Sequence, residues 1–95
     1  MATSRRLALP ASLQRWDVHL IGVVDGANLV FTTAEYFRND GNHIRVHWNG
    51  FRLRGGIGND YVVSESGGPG TGFNTVTLVE APRAGDVLTA DYVAT

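Results

Sequence analysis

The sequence predicts an all-β chain: a single small antiparallel β-sandwich of immunoglobulin-like or jelly-roll-like type, preceded by an extended N-terminal arm. Three observations lead there. Short apolar or β-branched runs alternate with Gly, Asn, Asp or Pro about every ten residues, the texture of sandwiches and barrels and not of alternating helices and strands. An Asn49-Gly50 pair lies between two alternating runs and suits a tight hairpin turn. The chain has 95 residues, 43% of them hydrophobic, which is material for one core and no second. The expected organisation is an arm over 1–16 and a sandwich domain over 17–95.

The arm mixes Ser4, Arg5, Arg6, Pro10, Ser12 and Arg15 with Leu7, Leu9 and Leu13, with no sustained period of two or 3.6. Two readings stand for it. One is a loose terminus. The other is a docking segment that orders against a partner through Arg5, Arg6, Leu7, Leu9, Leu13 and Trp16, where each buried leucine would contribute about 1.5–3 kcal/mol. Strands are then expected over 17–24, 28–33, 43–49, 51–55, 60–65, 73–80 and 86–94. Thr32 and Glu35 have capping-box spacing, a hint of a short helix that Asn39-Asp40-Gly41 would end within a turn or two. The glycine-rich stretch 67–72 is expected to be a flexible loop with no order of its own.

The segment 44–54, IRVHWNGFRLR, carries the strongest local signal. A two-residue type I′ turn at Asn49-Gly50 sets Trp48 against Phe51, His47 against Arg52, Val46 against Leu53 and Arg45 against Arg54. Alternation then sends Ile44, Val46, Trp48, Phe51 and Leu53 inward, and Arg45, His47, Arg52 and Arg54 outward. Cations facing cations cost a few tenths of a kcal/mol or more per pair, so something should neutralise them. Either a neighbouring acid such as Asp60, Glu65 or Glu80 does so, or the four side chains form a basic patch for an acidic surface of another subunit.

Composition closes off several function classes. A formal net charge of -1 gives no long-range field for a phosphate backbone, so nucleic acid is not an expected partner. Without cysteine there are no thiolate nucleophiles, disulfides, zinc fingers or iron–sulfur clusters. All eight cations are arginine, so Gly68-Pro69-Gly70-Thr71-Gly72 lacks the lysine of a phosphate cradle. The fragment Leu7-Ala8-Leu9 is too short for a signal-peptide core or a membrane span, and neither processing nor a membrane partner is expected.

No cofactor, metal or catalytic group is expected. His43 and His47 have helical metal-pair spacing, but on a strand their Cα atoms stand about 13 Å apart. Asp25, Asp40, Asp60 and Asp86 sit beside Gly or Asn, where turn chemistry explains them. Spacing alone leaves open a glycosidase-type pair among Glu35, Glu65, Glu80 and Asp91, though nothing marks any of them as desolvated. The serines lack a nucleophile elbow. Of the aromatics, Trp48, Phe51, Tyr61 and Tyr92 fall on inward positions. Trp16, Tyr36 and Phe37 are left for packing or for a sugar platform.

The order of pieces in the second half forms a larger pattern: Asn49-Gly50-Phe51-Arg52-Leu53, Asn59-Asp60-Tyr61-Val62-Val63, Thr75-Val76-Thr77-Leu78, Ala81-Pro82-Arg83-Ala84-Gly85-Asp86-Val87-Leu88 and Asp91-Tyr92, after an earlier Asp25-Gly26-Ala27-Asn28-Leu29-Val30-Phe31. Over about residues 25–94 this resembles the small β-sandwich modules of tailed-bacteriophage virion proteins, found in tail fibres and head decorations. The resemblance implies a non-enzymatic virion structural protein, assembled in the host cytoplasm, homo-oligomeric with a trimer favoured, and bound to major capsid or tail proteins. The chain departs from longer fibre proteins in having no coiled coil, repeat or tip domain, which favours a capsid decoration (cement) protein. A tail-fibre or neck attachment module, or a carbohydrate-binding module in host adsorption, is the alternative.

Overall fold

The computed structural model describes residues 13–39 and 44–95; Arg5, Arg6, Leu7, Leu9, Asp40 and His43 lie outside the described residues. Within them the seven expected runs become seven strands: β1 (Gln14–His19), β2 (Val30–Phe37), β3 (Ile44–Trp48), β4 (Phe51–Arg52), β5 (Tyr61–Ser64), β6 (Phe73–Leu78) and β7 (Leu88–Val93). They form two antiparallel sheets, β1-β7-β3-β4 and β2-β6-β5, packed face to face. The fold is the expected small antiparallel β-sandwich.

Alternation builds the core. In the four-stranded sheet Val18, Ala90 and Val46 form one inward row, with Tyr92 against Ile44 and Leu88 against Trp48 on either side. In the other sheet Phe31, Val76 and Val63 make a row, with Leu78 against Tyr61 beside it. The Phe37 ring lies 5.9 Å from Tyr92 and 6.3 Å from Phe73, measured between centroids, and ties the two layers. Single bridges also stitch the sandwich at its sides, Ile21 to Thr32 and Phe37 to Ala94 on one and Gly55 to Tyr61 on the other. Exposed sheet edges are thereby shortened.

Several expectations are corrected. β1 starts at Gln14, so Gln14, Arg15 and Trp16, assigned to the arm, are strand residues, with Gln14 opposite Val93 and Arg15 opposite Tyr92. The helix hint at Thr32–Glu35 is also wrong, because burial of Phe31 and Phe37 on the inner face holds the segment in β2. The register slips there: β2 advances from Thr32 to Phe37 while β6 advances only from Thr75 to Phe73. This bulge turns Glu35 toward β1, where its carboxylate accepts from Arg15 Nε (2.6 Å) and Nη2 (2.9 Å). The 67–72 loop is not featureless. Glu65 Oε2 accepts the N–H groups of Gly70 (3.0 Å) and Gly72 (2.9 Å), and Thr71 Oγ1 donates to the Gly68 carbonyl (2.6 Å).

Candidate docking surface

The β3–β4 hairpin forms as its sequence dictates. Asn49 (φ 51°) and Gly50 (φ 87°) both have positive φ, the type I′ requirement, and Trp48 faces Phe51 while His47 faces Arg52. The turn is clamped from outside. Asn49 Nδ2 donates to Asp86 Oδ1 (3.0 Å), Asn49 Oδ1 accepts from Val87 N (2.8 Å), and Asp86 Oδ2 accepts from Arg83 N (2.9 Å). The amide of Asn49 and the N–H of Arg83 hold the Asp86 carboxyl below its usual range. Gly85 (φ 96°) supplies the positive φ of that turn, and the Pro82 carbonyl accepts from Gly26 N (2.8 Å). At Asp25, Oδ1 accepts from Ala27 N (2.9 Å) and Asn28 N (3.0 Å), which lowers its pKa. The turn residues of the sequence pattern thus include two connected groups, Asn49 with Asp86 and Gly26 with Pro82.

Because β1 and β3 both pair with β7, outward side chains of three strands line up with β4. Thr89 stands opposite His19 on one side and His47 on the other, and His47 stands opposite Arg52. The neighbouring row sets Arg45 opposite Asp91. The expected Arg45–Arg54 pair does not form. β4 ends at Arg52, Leu53 N still donates to Val46 O (2.8 Å), and the chain then leaves the sheet. Arg54 pairs instead with the residue before β5: its N–H donates to Asp60 Oδ2 (2.8 Å), and Asp60 N donates back to Arg54 O (2.8 Å).

The acids named as neutralisers are engaged elsewhere or not engaged. Asp60 serves the Arg54 backbone and Glu65 serves its glycine loop, and among the described residues no ion pair joins a carboxylate to Arg45, Arg52 or Arg54. The Nδ1 atom of His47 is buried without a hydrogen-bond partner. Beside the row, Arg52, Arg54, Asp60 and Tyr61 contribute to the walls of an open cleft of about 610 Å³ between the end of β4 and the start of β5. Ile44, Leu53 and Gly55 also line it, and burial pushes the Tyr61 hydroxyl upward in pKa.

Other expected site residues are dispersed. Leu13 and Trp16 are exposed at the start of β1, Trp16 to 65%, beside a bulge at Asp17 (φ 51°), whose N–H donates to Asp91 Oδ1 (2.8 Å). Phe51, expected inward, is 77% exposed, because β4 is a strand of only two residues at the edge of its sheet. Phe37 is core, while Tyr36 lies half exposed against Gly72. Sequence reasoning missed His19, Thr89 and Asp91 as neighbours of the cations. No local signal could have found them, since strand order sets that adjacency.

Among the described residues no three His, Asp or Glu side chains gather into a group able to hold a metal ion. Comparison with protein-family models, with curated proteins and with solved structures finds no match.

Proposed function

We propose that the protein is a non-enzymatic structural protein of a tailed-phage virion, a capsid decoration protein that binds the shell as a homo-oligomer. The observation carrying this reading is the set of outward arginines, Arg45, Arg52 and Arg54, that no carboxylate among the described residues pairs with. Their planar forks are suited to bidentate capture of carboxylates on another protein. His47 lies between Arg45 and Arg52 on the same face, and the cleft at the β4–β5 junction gives an approaching acidic side chain a recess beside Arg52 and Arg54. The resemblance of residues 25–94 to phage sandwich modules supports that setting, and Arg5, Arg6, Leu7, Leu9 and Leu13, with Trp16 at the start of β1, would extend the contact.

The test is the copy number of this chain in purified particles, by quantitative mass spectrometry against the major capsid protein. A number comparable with that of the capsid protein supports decoration. A much smaller one moves the chain to the tail or neck, and absence from particles overturns the virion reading. Exposure of Trp16 favours one second reading, sugar binding in host adsorption, because a bare indole face matches the C–H face of a pyranose. Glycan-array binding that Trp16→Ala removes would establish it.

A further inference from the structure

The residue pair that makes the β3–β4 hairpin is also the most labile amide in the chain. Of the asparagines in the sequence, Asn49 alone precedes a glycine. An asparagine loses its amide when the next backbone nitrogen attacks its Cγ, and a following glycine, having no Cβ, obstructs that attack least. The reaction needs no co-reactant but water. Gly50 N bonds to Asn49 Cγ, the Cγ–Nδ2 bond breaks, and Nδ2 leaves as ammonia with the proton that Gly50 N gives up to solvent. Water then opens the cyclic imide at either carbonyl. One opening yields aspartate in the ordinary chain, the other isoaspartate, with the chain routed through the side-chain carbons.

The fold holds the reacting atoms apart. The imide is a five-membered ring, so Cβ of Asn49 and N of Gly50 must lie on the same side of the Cα–C bond before it can close. Positive φ at Asn49 (51°) and Gly50 (87°) makes the turn type I′, whose first central residue has a ψ of about +30°. At that angle the two atoms point to nearly opposite sides. The side chain is pinned as well: Nδ2 donates to Asp86 Oδ1 (3.0 Å), Oδ1 accepts from Val87 N (2.8 Å), and Asn49 N donates to Val87 O (2.8 Å). Near-attack geometry therefore requires the hairpin to come away from the 86–87 segment first.

We propose that Asn49 is a spontaneous deamidation site that the clamp from Asp86 and Val87 keeps closed, so that conversion follows opening of the hairpin and is not undone when it closes. Neither product fits the clamp. Aspartate replaces the donor with a second carboxylate, facing Asp86 where the 3.0 Å bond had been. Isoaspartate lengthens the backbone of a two-residue turn and so disturbs the His47–Arg52 register. The inference rests on the turn alone and stands or falls apart from any partner of the outward arginines.

The test is to incubate the full chain at mildly alkaline pH, folded and in parallel in urea, and to follow the tryptic peptide 46–52 by chromatography and mass spectrometry. The expected conversion at Asn49 is at least about tenfold slower in the folded chain, because the turn and its two side-chain bonds must open first. In the folded state Asp86→Ala should speed it by about threefold or more, while Asp25→Ala, which removes a turn carboxylate elsewhere, should not. Thermal unfolding checks that both variants are folded. Asn49→Asp should be less stable than the parent chain at neutral pH. Equal conversion in the folded chain and in urea overturns the proposal, and this comparison needs no variant. So does a rate that Asp86→Ala leaves unchanged, an acceleration that Asp25→Ala matches, or an Asn49→Asp chain as stable as the parent.

Discussion

The Asn49 turn allows backbone strain and side-chain bonding to be separated. Asn49→Gly keeps positive φ free of strain but removes the acceptor for Val87 N, a bond of 2.8 Å worth about 0.5–1.5 kcal/mol net. Glycine's greater freedom in the unfolded chain adds about 0.4–1 kcal/mol. The expected loss is therefore about 1–2.5 kcal/mol. Asn49→Ala removes the same acceptor and also forces a Cβ-bearing residue without asparagine's local hydrogen bonding to hold φ near 51°, at about 1–2 kcal/mol. Its expected loss is about 1.5–3.5 kcal/mol, so alanine should fall below glycine by roughly 0.5–1 kcal/mol. Urea unfolding at equal slope reads the difference directly as a shift in midpoint. Should alanine prove as stable as glycine, the turn is not held in the left-handed region by its sequence, and the reasoning fails. Both variants also remove the amide that donates to Asp86, so both should weaken the acid-sensitive part of stability described next.

Three further outcomes are expected. Hydrogen bonds to the Asp25, Glu35 and Asp86 carboxylates, from backbone amides, Arg15 and Asn49 respectively, lower their folded pKa values. The unfolded chain then takes up protons first as pH falls, so stability is fully present above the ordinary carboxylate range near 4 and declines below it. Urea midpoints that stay level from neutral pH down to pH ~2 would contradict this. Gly55→Ala places a Cβ 2.8 Å from Tyr61 Cζ at a position with no positive-φ demand, so its cost is steric, about 1–3 kcal/mol, and should shrink when Tyr61→Leu is added. Thermal melts of the single and double variants decide that. Phe37→Ala empties the site between Phe73 and Tyr92 and should cost about 3–5 kcal/mol, with a loss under about 1.5 kcal/mol by urea titration counting against its role as inter-sheet tie.

Local chemistry was legible in the chain. The Asn49-Gly50 turn, the inward places of Ile44, Val46, Tyr61 and Tyr92, the Gly85 turn and the bonding role of Asp25 and Asp86 all follow from backbone preferences and a period of two, which act over a few residues. The seven runs and the sandwich class follow from the same local rules. Where those rules met long-range pairing they failed. Gln14–Trp16 looked like arm until β7 supplied a partner, Thr32–Glu35 looked like a helix start until Phe31 and Phe37 were buried, and Phe51 looked buried until β4 proved to be an edge.

The sequence by itself determined which residues turn, which alternate and which are cations, because those properties belong to single residues and their immediate neighbours. Only the tertiary structure decided strand order, and with it which side chains share a face. That order puts His19, Thr89, His47 and Arg52 in one line, parts Arg54 from Arg45, and sets Val30, Thr77 and Val62 side by side on the outer face of the other sheet. The physical reason is that ladder hydrogen bonds between backbones are the same whatever strand supplies them, so the choice of partner rests on burying both inner faces at once, a property of the whole chain.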